Sequence, residues 1–305
     1  MQRFTTTSSD GKTTLAAYKL VPANPRGMVQ ISHGMCEYIL RYEGFAKFLA
    51  EAGIIVFGHD HLGHGYSVKS SKGLGFTAEG GGAEYLVEDV HNLALKMKQE
   101  YPDLPIVLFG HSMGSFIARA VLEKYSSTYK AAVICGTAGP GMPTAFGKAV
   151  TKHLMTFLGE HHRSKLMKKI VFGGYNKNCG ENCDPNAWLT RDEEVVKAYN
   201  ADLLCSYNFT LRGYYDLFDL IETISREEWA STLSKDLPVM VVSGEQDPVG
   251  GWGKGVQKVA ESLLAAEMRD VTLKLYPEMR HEIINELEHE TVWTDLKEWI
   301  EQKLA

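Results

Sequence analysis

As far as about residue 140 the chain alternates between two kinds of hydrophobic pattern, and the alternation predicts its layers. The stretches at 28–32, 54–58, 106–109 and 131–135 read as strands; that at 106–109 is apolar throughout, as a strand covered on both faces would be, whereas the first carries Gln30 and Ser32. Between the runs, apolar residues recur at helical spacing over 45–52, 83–100 and 115–125. Thr5 to Leu20, with its turn signal at Asp10-Gly11, predicts an N-terminal hairpin. Strands separated by helices of this length predict an α/β fold with a doubly wound, mostly parallel sheet.

The pattern is interrupted and then resumes. Gly139-Pro140-Gly141-Met142-Pro143 breaks the chain just after a strand, and from there to Leu233 the alternation is lost. Ala145–Leu158 and Leu166–Phe172 carry apolar residues at helical spacing within that stretch. Pro238-Val239-Met240-Val241-Val242 restores a buried strand, Val271–Tyr276 predicts another, and Ile284–Ile300 predicts an amphipathic terminal helix. A chain of 305 residues exceeds the length at which one core usually stops growing, and the excess is accounted for by an insertion. The predicted organisation is a core of residues 1–140 and 234–305 with a helical cap of residues 141–233.

The candidate chemistry lies where strands end. Gly110-His111-Ser112-Met113-Gly114 follows the run Ile106–Phe109 directly and precedes an apolar-striped helix. A serine on such a tight strand-to-helix turn takes a strained backbone, and its neighbours must be glycine because a Cβ would strike the adjoining strand or helix. The turn lifts the Ser112 hydroxyl clear of the sheet. It also sets the Met113 N–H at a helix start, where partial positive charge stabilises an oxyanion.

A nucleophilic serine needs a base, and the base needs an acid to hold its tautomer. An elbow serine of this type takes the acid and then the base from later strand ends. Of the 11 histidines only His281 and His289 come late enough; His281 follows the strand Val271–Tyr276 in a loop, whereas His289 falls on the terminal helix. His281 is therefore the predicted base. Ser243-Gly244-Glu245-Gln246-Asp247-Pro248 is the turn behind an earlier strand and offers two carboxylates. Asp247 is the preferred acid and Glu245 the alternative. The loop His33-Gly34-Met35-Cys36-Glu37 after the first buried strand supplies a second oxyanion donor, the Met35 N–H.

With these residues in place the chain resembles the monoglyceride lipase and lysophospholipase family of α/β-hydrolases, within the serine aminopeptidase-like superfamily. The resemblance is carried by His33-Gly34-x-x-Glu37 with Arg41-Tyr42, by Val56–Ser67 with its Gly58-His59-Asp60-His61-Leu62-Gly63-His64-Gly65 run, and by Gly110–Gly114. Gly244-x-x-Asp247-Pro248 and Arg280-His281-Glu282 resemble the acid and base loops of bacterial members. It covers residues 26–140 and 236–305 well and the segment between them poorly. It implies an α/β-hydrolase fold with a lid in the insertion, and Glu37 and Arg41 at the polar end of the acyl-ester pocket. It also implies hydrolysis of monoacylglycerols or lysophospholipids, with a broad short-chain or feruloyl-type esterase or a serine aminopeptidase as the alternative. Ser115 and Cys36 depart from the family's usual glycines, which implies a narrower pocket. A hydrolase fold used only for ligand binding is the contrasting class, and the complete set of triad residue types argues against it.

Composition and charge limit the partners. The formal net charge is −6, yet residues 141–180 carry Lys148, Lys152, Arg163, Lys165, Lys168, Lys169 and Lys177 against Glu160 alone. A basic, apolar-striped cap on an acidic body suits anionic headgroups or lipid aggregates, and the acidic body argues against nucleic acid. No run reaches the ~18 apolar residues of a membrane span, and five cysteines with no signal-like start predict free thiols in the cytoplasm, with contact at a membrane surface through the cap. The alternating His59–His64 donors lie on an irregular loop, so no metal is expected there, nor a cofactor anywhere.

Overall fold

In the computed structural model, which describes residues 1–140, 144–226 and 228–305, eight strands form one sheet in the order β1-β2-β4-β3-β5-β6-β7-β8. The hairpin of β1 (Gln2–Thr7) and β2 (Thr14–Leu20) lies at one edge, and Gly11 turns it with φ +71°. β3 (Gly27–Ser32), β4 (Ile54–His59), β5 (Ile106–His111), β6 (Ala131–Cys135), β7 (Val239–Gly244) and β8 (Val271–Tyr276) run parallel to one another. Strands β3 to β7 are buried at every residue, which is why apolar residues dominate them, and the polar Gln30 within β3 is satisfied by donating to the Val90 carbonyl at 2.7 Å. β8 is an edge strand and is only partly covered.

Helices cover both faces. α1 (Glu43–Glu51) and the terminal α9 (His289–Leu304) pack on one face; α2 (Gly82–Glu100), α3 (Met113–Tyr125) and α8 (Lys254–Ala265) pack on the other. Strand order reverses beside β3, whose neighbours are β4 and β5. In a doubly wound sheet the crevice beyond the carboxyl ends at such a reversal is where ligands bind. The loops after β3 and β5 meet there.

Between β6 and β7 the chain forms α4 (Thr144–Leu158), α5 (Lys165–Phe172), α6 (Glu193–Ala201) and α7 (Leu211–Ile224). Ser164, Asp192 and Thr210 cap the last three by accepting backbone N–H groups of the first turn. Gly147 lets α4 lie against Phe218 of α7, where a Cβ would stand 2.6 Å from the ring. Lys148 bonds to Glu222 at 2.5 Å and also pairs with Asp219, so part of the basic stretch is neutralised within these helices. The chain break predicted at 139–143 falls partly outside the described residues. No described helix is long and apolar enough to cross a membrane, and all five cysteines are free.

Candidate active site

Ser112 occupies the junction of β5 and α3 with φ 53° and ψ −123°, a conformation that a non-glycine residue holds only where its surroundings impose it. A Cβ on Gly110 would lie 2.6 Å from that of Ala118, and one on Gly114 would run into the Ser32 carbonyl. Both glycines are therefore steric necessities of the turn. Ser115 turns its hydroxyl back to the Ser112 carbonyl at 2.6 Å and does not reach the cavity wall, so it does not narrow the pocket.

The loops after β7 and β8 bring two more groups to the same end of the sheet. His281 Nδ1 stands 2.9 Å from Asp247 Oδ1, whose carboxylate also accepts from Ser243 Oγ at 2.7 Å and from the Val249 N–H at 2.9 Å. Burial pushes the Asp247 carboxyl up, but the adjacent imidazole and these hydrogen bonds outweigh it, and the pKa is held below the ordinary value. An ionised Asp247 fixes the proton of His281 on Nδ1 and leaves Nε2 as an acceptor. Glu245, on the same turn, is exposed to solvent.

The loop after β3 is set by two side chains. His33 Nδ1 meets the Gly34 carbonyl at 2.8 Å, and its Nε2 accepts the His61 N–H at 3.0 Å, which assigns the proton to Nδ1. A trans peptide points its C=O and the following N–H in opposite directions, so fixing the Gly34 carbonyl aims the Met35 N–H the other way. Glu37 Oε1 takes the Gly34 N–H. Neither Met35 N–H nor Met113 N–H has a protein acceptor among the described residues, and both residues line the cavity beside Ser112.

Glu37 is itself at the centre of a buried network. It accepts from Tyr42 Oη at 2.8 Å and Arg41 Nη1 at 2.9 Å, and meets His111 Nδ1 at 3.2 Å. Arg41 makes a two-pronged contact of 2.7 Å per bond with Glu282, the residue after His281. Glu37 and Glu282 reach the cavity wall but Arg41 does not. The expected placing of Arg41 at the pocket's polar end is thus corrected: both of its neighbouring carboxylates hold it behind the wall. Burial raises the Glu37 carboxyl, yet His111 and Arg41 pull it well below the carboxylate range. His111 is driven down by burial, and Glu37 more than restores it.

His33, His59, His61 and His64 cluster behind this loop, with ring centroids 4.2 Å apart for His33 and His61 and 4.9 Å for His59 and His61. Burial lowers His33 to about 3 and His59 and His64 to about 4, so all are neutral. Asp60 accepts the Ile39 and Tyr66 N–H groups and shapes the turn.

The cavity encloses about 190 Å³, far above the ~10–15 Å³ that one water needs. Phe116 of α3 and Tyr214, Leu217, Phe218 and Ile221 of α7 form an apolar side, and Trp188 of the cap lies 5.0 Å from the His281 ring. Cys36 donates to the Tyr207 carbonyl at 3.3 Å and so joins the loop after β3 to the cap. Sequence reading missed Ser243, Glu282 and Trp188. Glu282 was visible only as a neighbour of His281, and nothing local marks the other two.

A protein-family model described as serine aminopeptidase, S33, matches residues 23–288. The chain belongs to that family. Within the family it is similar to a monoacylglycerol lipase of Mycolicibacterium smegmatis, 32% identical over 91% of this chain and 89% of that one. It is similar to the human monoglyceride lipase as well, at 27% identity over 98% of this chain and 90% of the relative. A thermostable carboxyl esterase from Bacillus coagulans, solved with glycerol, superposes with a TM-score of 0.93 at 29% identity, covering 100% of this chain and 99% of that one. The protein is a serine hydrolase of the α/β-hydrolase fold, as the resemblance implied.

Proposed function

We propose that the protein cleaves carboxylic esters of lipid-like substrates, monoacylglycerols or lysophospholipids, through an acyl-enzyme. Ser112 Oγ attacks the ester carbonyl while His281 Nε2 takes the hydroxyl proton, and the electron pair of the carbonyl moves onto oxygen, held by the Met35 and Met113 N–H groups. Collapse expels the alcohol, which receives the proton from His281. Water then repeats the cycle, giving its proton to His281, freeing the acid and returning the proton to Ser112. Asp247 stabilises the imidazolium throughout.

The observation that carries this reading is the apolar cavity built from α3, α7 and the cap loops against Ser112. The lipase and esterase names of the relatives support it. An aminopeptidase would need a free carboxylate to receive the substrate's amine, and the two carboxylates on the wall, Glu37 and Glu282, are both committed to Arg41. The test is hydrolysis of a ladder of p-nitrophenyl esters beside monoacylglycerol, lysophosphatidylcholine and an aminoacyl anilide, with fluorophosphonate labelling of Ser112. Rising kcat/KM with acyl length and labelling lost in Ser112→Ala support the assignment. Anilide turnover with a flat ester profile, or equal labelling of the variant, refutes it.

The cap supports a second part of the proposal, contact with anionic lipid surfaces. Phe146, Phe157, Leu158, Leu166 and Ile170 are exposed on α4 and α5, amid Lys152, Lys165 and Lys169. Arg163 serves differently, donating to the Asn208, Lys72 and Leu74 carbonyls. Replacing the three lysines with Gln, and leaving Arg163 intact, is expected to weaken binding to anionic but not neutral vesicles; unchanged binding to both would remove the idea.

A further inference from the structure

Arg119, in the middle of α3, is 2% exposed, and among the described residues no carboxylate offsets its charge. A buried cation without a counter-ion is costly, and one that persists is holding something. Its Nη1 donates to the Ala138 carbonyl at 3.0 Å and its Nη2 to the Ile224 carbonyl at 2.6 Å. The guanidinium lies 4.2 Å from the ring centroid of Trp229, whose indole N–H returns to the Arg119 carbonyl at 3.0 Å.

The positions of these partners matter more than their number. Ala138 lies just beyond β6, where the chain leaves the sheet for the cap, and Ile224 ends α7, where it comes back. One side chain on the nucleophile helix therefore grips both connections of the cap. The Ile224 carbonyl belongs to the last turn of a helix, has no intrahelical donor, and sits at the end of the dipole that favours a cation. Phe116, three residues before Arg119, lines the cavity together with Leu217, Phe218 and Ile221 of α7. How α7 packs on α3 therefore shapes that apolar side.

We propose that Arg119 is a positioning residue for substrate selection: by clasping the exit and return of the cap to α3, it sets the width of the acyl cavity. The planar fork is what the task requires, since two carbonyls on separate segments must be met at once and an ammonium is a single point. The cavity's use as an acyl site rests on the function proposed above; the clasp itself does not.

Arg119→Met and Arg119→Lys separate the contributions of charge and fork, and Trp229→Phe is a milder variant that removes only the indole back-bond and some ring area. Each is assayed with acetyl and butyryl against lauroyl and palmitoyl p-nitrophenyl esters, and by timed proteolysis of residues 141–233. Both Arg119 variants are expected to raise KM for the long esters about tenfold, to keep kcat on acetate within about twofold, and to speed cap cleavage. Trp229→Phe is expected to shift all three readouts in the same direction but less. Equal losses on short and long esters with unchanged cap cleavage would overturn the proposal, as would no change in either. If wild type cleaves no ester, the functional reading fails, while faster cap proteolysis in the variants would still uphold the clasp.

Discussion

His281 Nδ1 and Asp247 Oδ1 lie 2.9 Å apart in a setting where both residues are at most 1% exposed, while Glu245, two residues from Asp247, faces solvent. Asp247→Asn should therefore lower kcat on a soluble ester by about 10⁴, through loss of the tautomer that leaves Nε2 free. Glu245→Gln should stay within about twofold of wild type. Comparable losses in the two variants would contradict this division.

His33 orients a peptide through its contact with the Gly34 carbonyl and so aims the Met35 N–H. His33→Phe is expected to lower kcat about 10²-fold, in the range of losing one oxyanion donor, with little change in KM. Steady-state kinetics on one ester distinguishes this from a defect in binding, in which KM alone would rise.

Arg41 is the shared partner of the two buried carboxylates of Glu37 and Glu282. Arg41→Met leaves both without their cation and is expected to cost about 3–5 kcal/mol in urea unfolding. Adding Glu282→Gln to Arg41→Met should recover part of that loss, because one uncompensated charge is removed with it. A double variant less stable than Arg41→Met would show that the Glu282 carboxylate matters more to its other partner, Asn285, whose Nδ2 donates to it at 3.0 Å, than to Arg41.

The imidazole cluster gives the fold an acid limit. His33, His59 and His64 are held to about 3 or 4, below the ordinary value near 6.5, so the unfolded chain binds protons that the folded one refuses. Stability is expected to be full above pH ~6.5 and to fall progressively as pH drops toward ~4. His59 has neither ring nitrogen hydrogen-bonded. His59→Leu should therefore gain on the order of 1–2 kcal/mol over wild type at pH 5 and much less at pH 8. Equal effects at the two pH values would exclude titration as the cause.

Much of this molecule is legible in one dimension. The apolar run at 106–109 and the glycines at 110 and 114 announce their strand and its turn, because burial on both faces and a steric clash are conditions each residue meets with its immediate neighbours. The order of Ser112, an acidic turn and His281 follows from the same local signals, since each stands at a strand end. The choice between Asp247 and Glu245 does not. It depends on how the turn after β7 lies against the loop after β8.

The sequence by itself determined the sheet, the elbow and the short set of chemistry-bearing residues. Tertiary packing alone decided that Arg41 stands behind the cavity wall between Glu37 and Glu282, that His33 aims a peptide, and that Arg119 holds both ends of the cap. These contacts join residues far apart along the chain, and their energies depend on burial and on partners that no local pattern encodes. Backbone preference acts over a few residues; the pairing of a buried charge is settled only when the layers close around it.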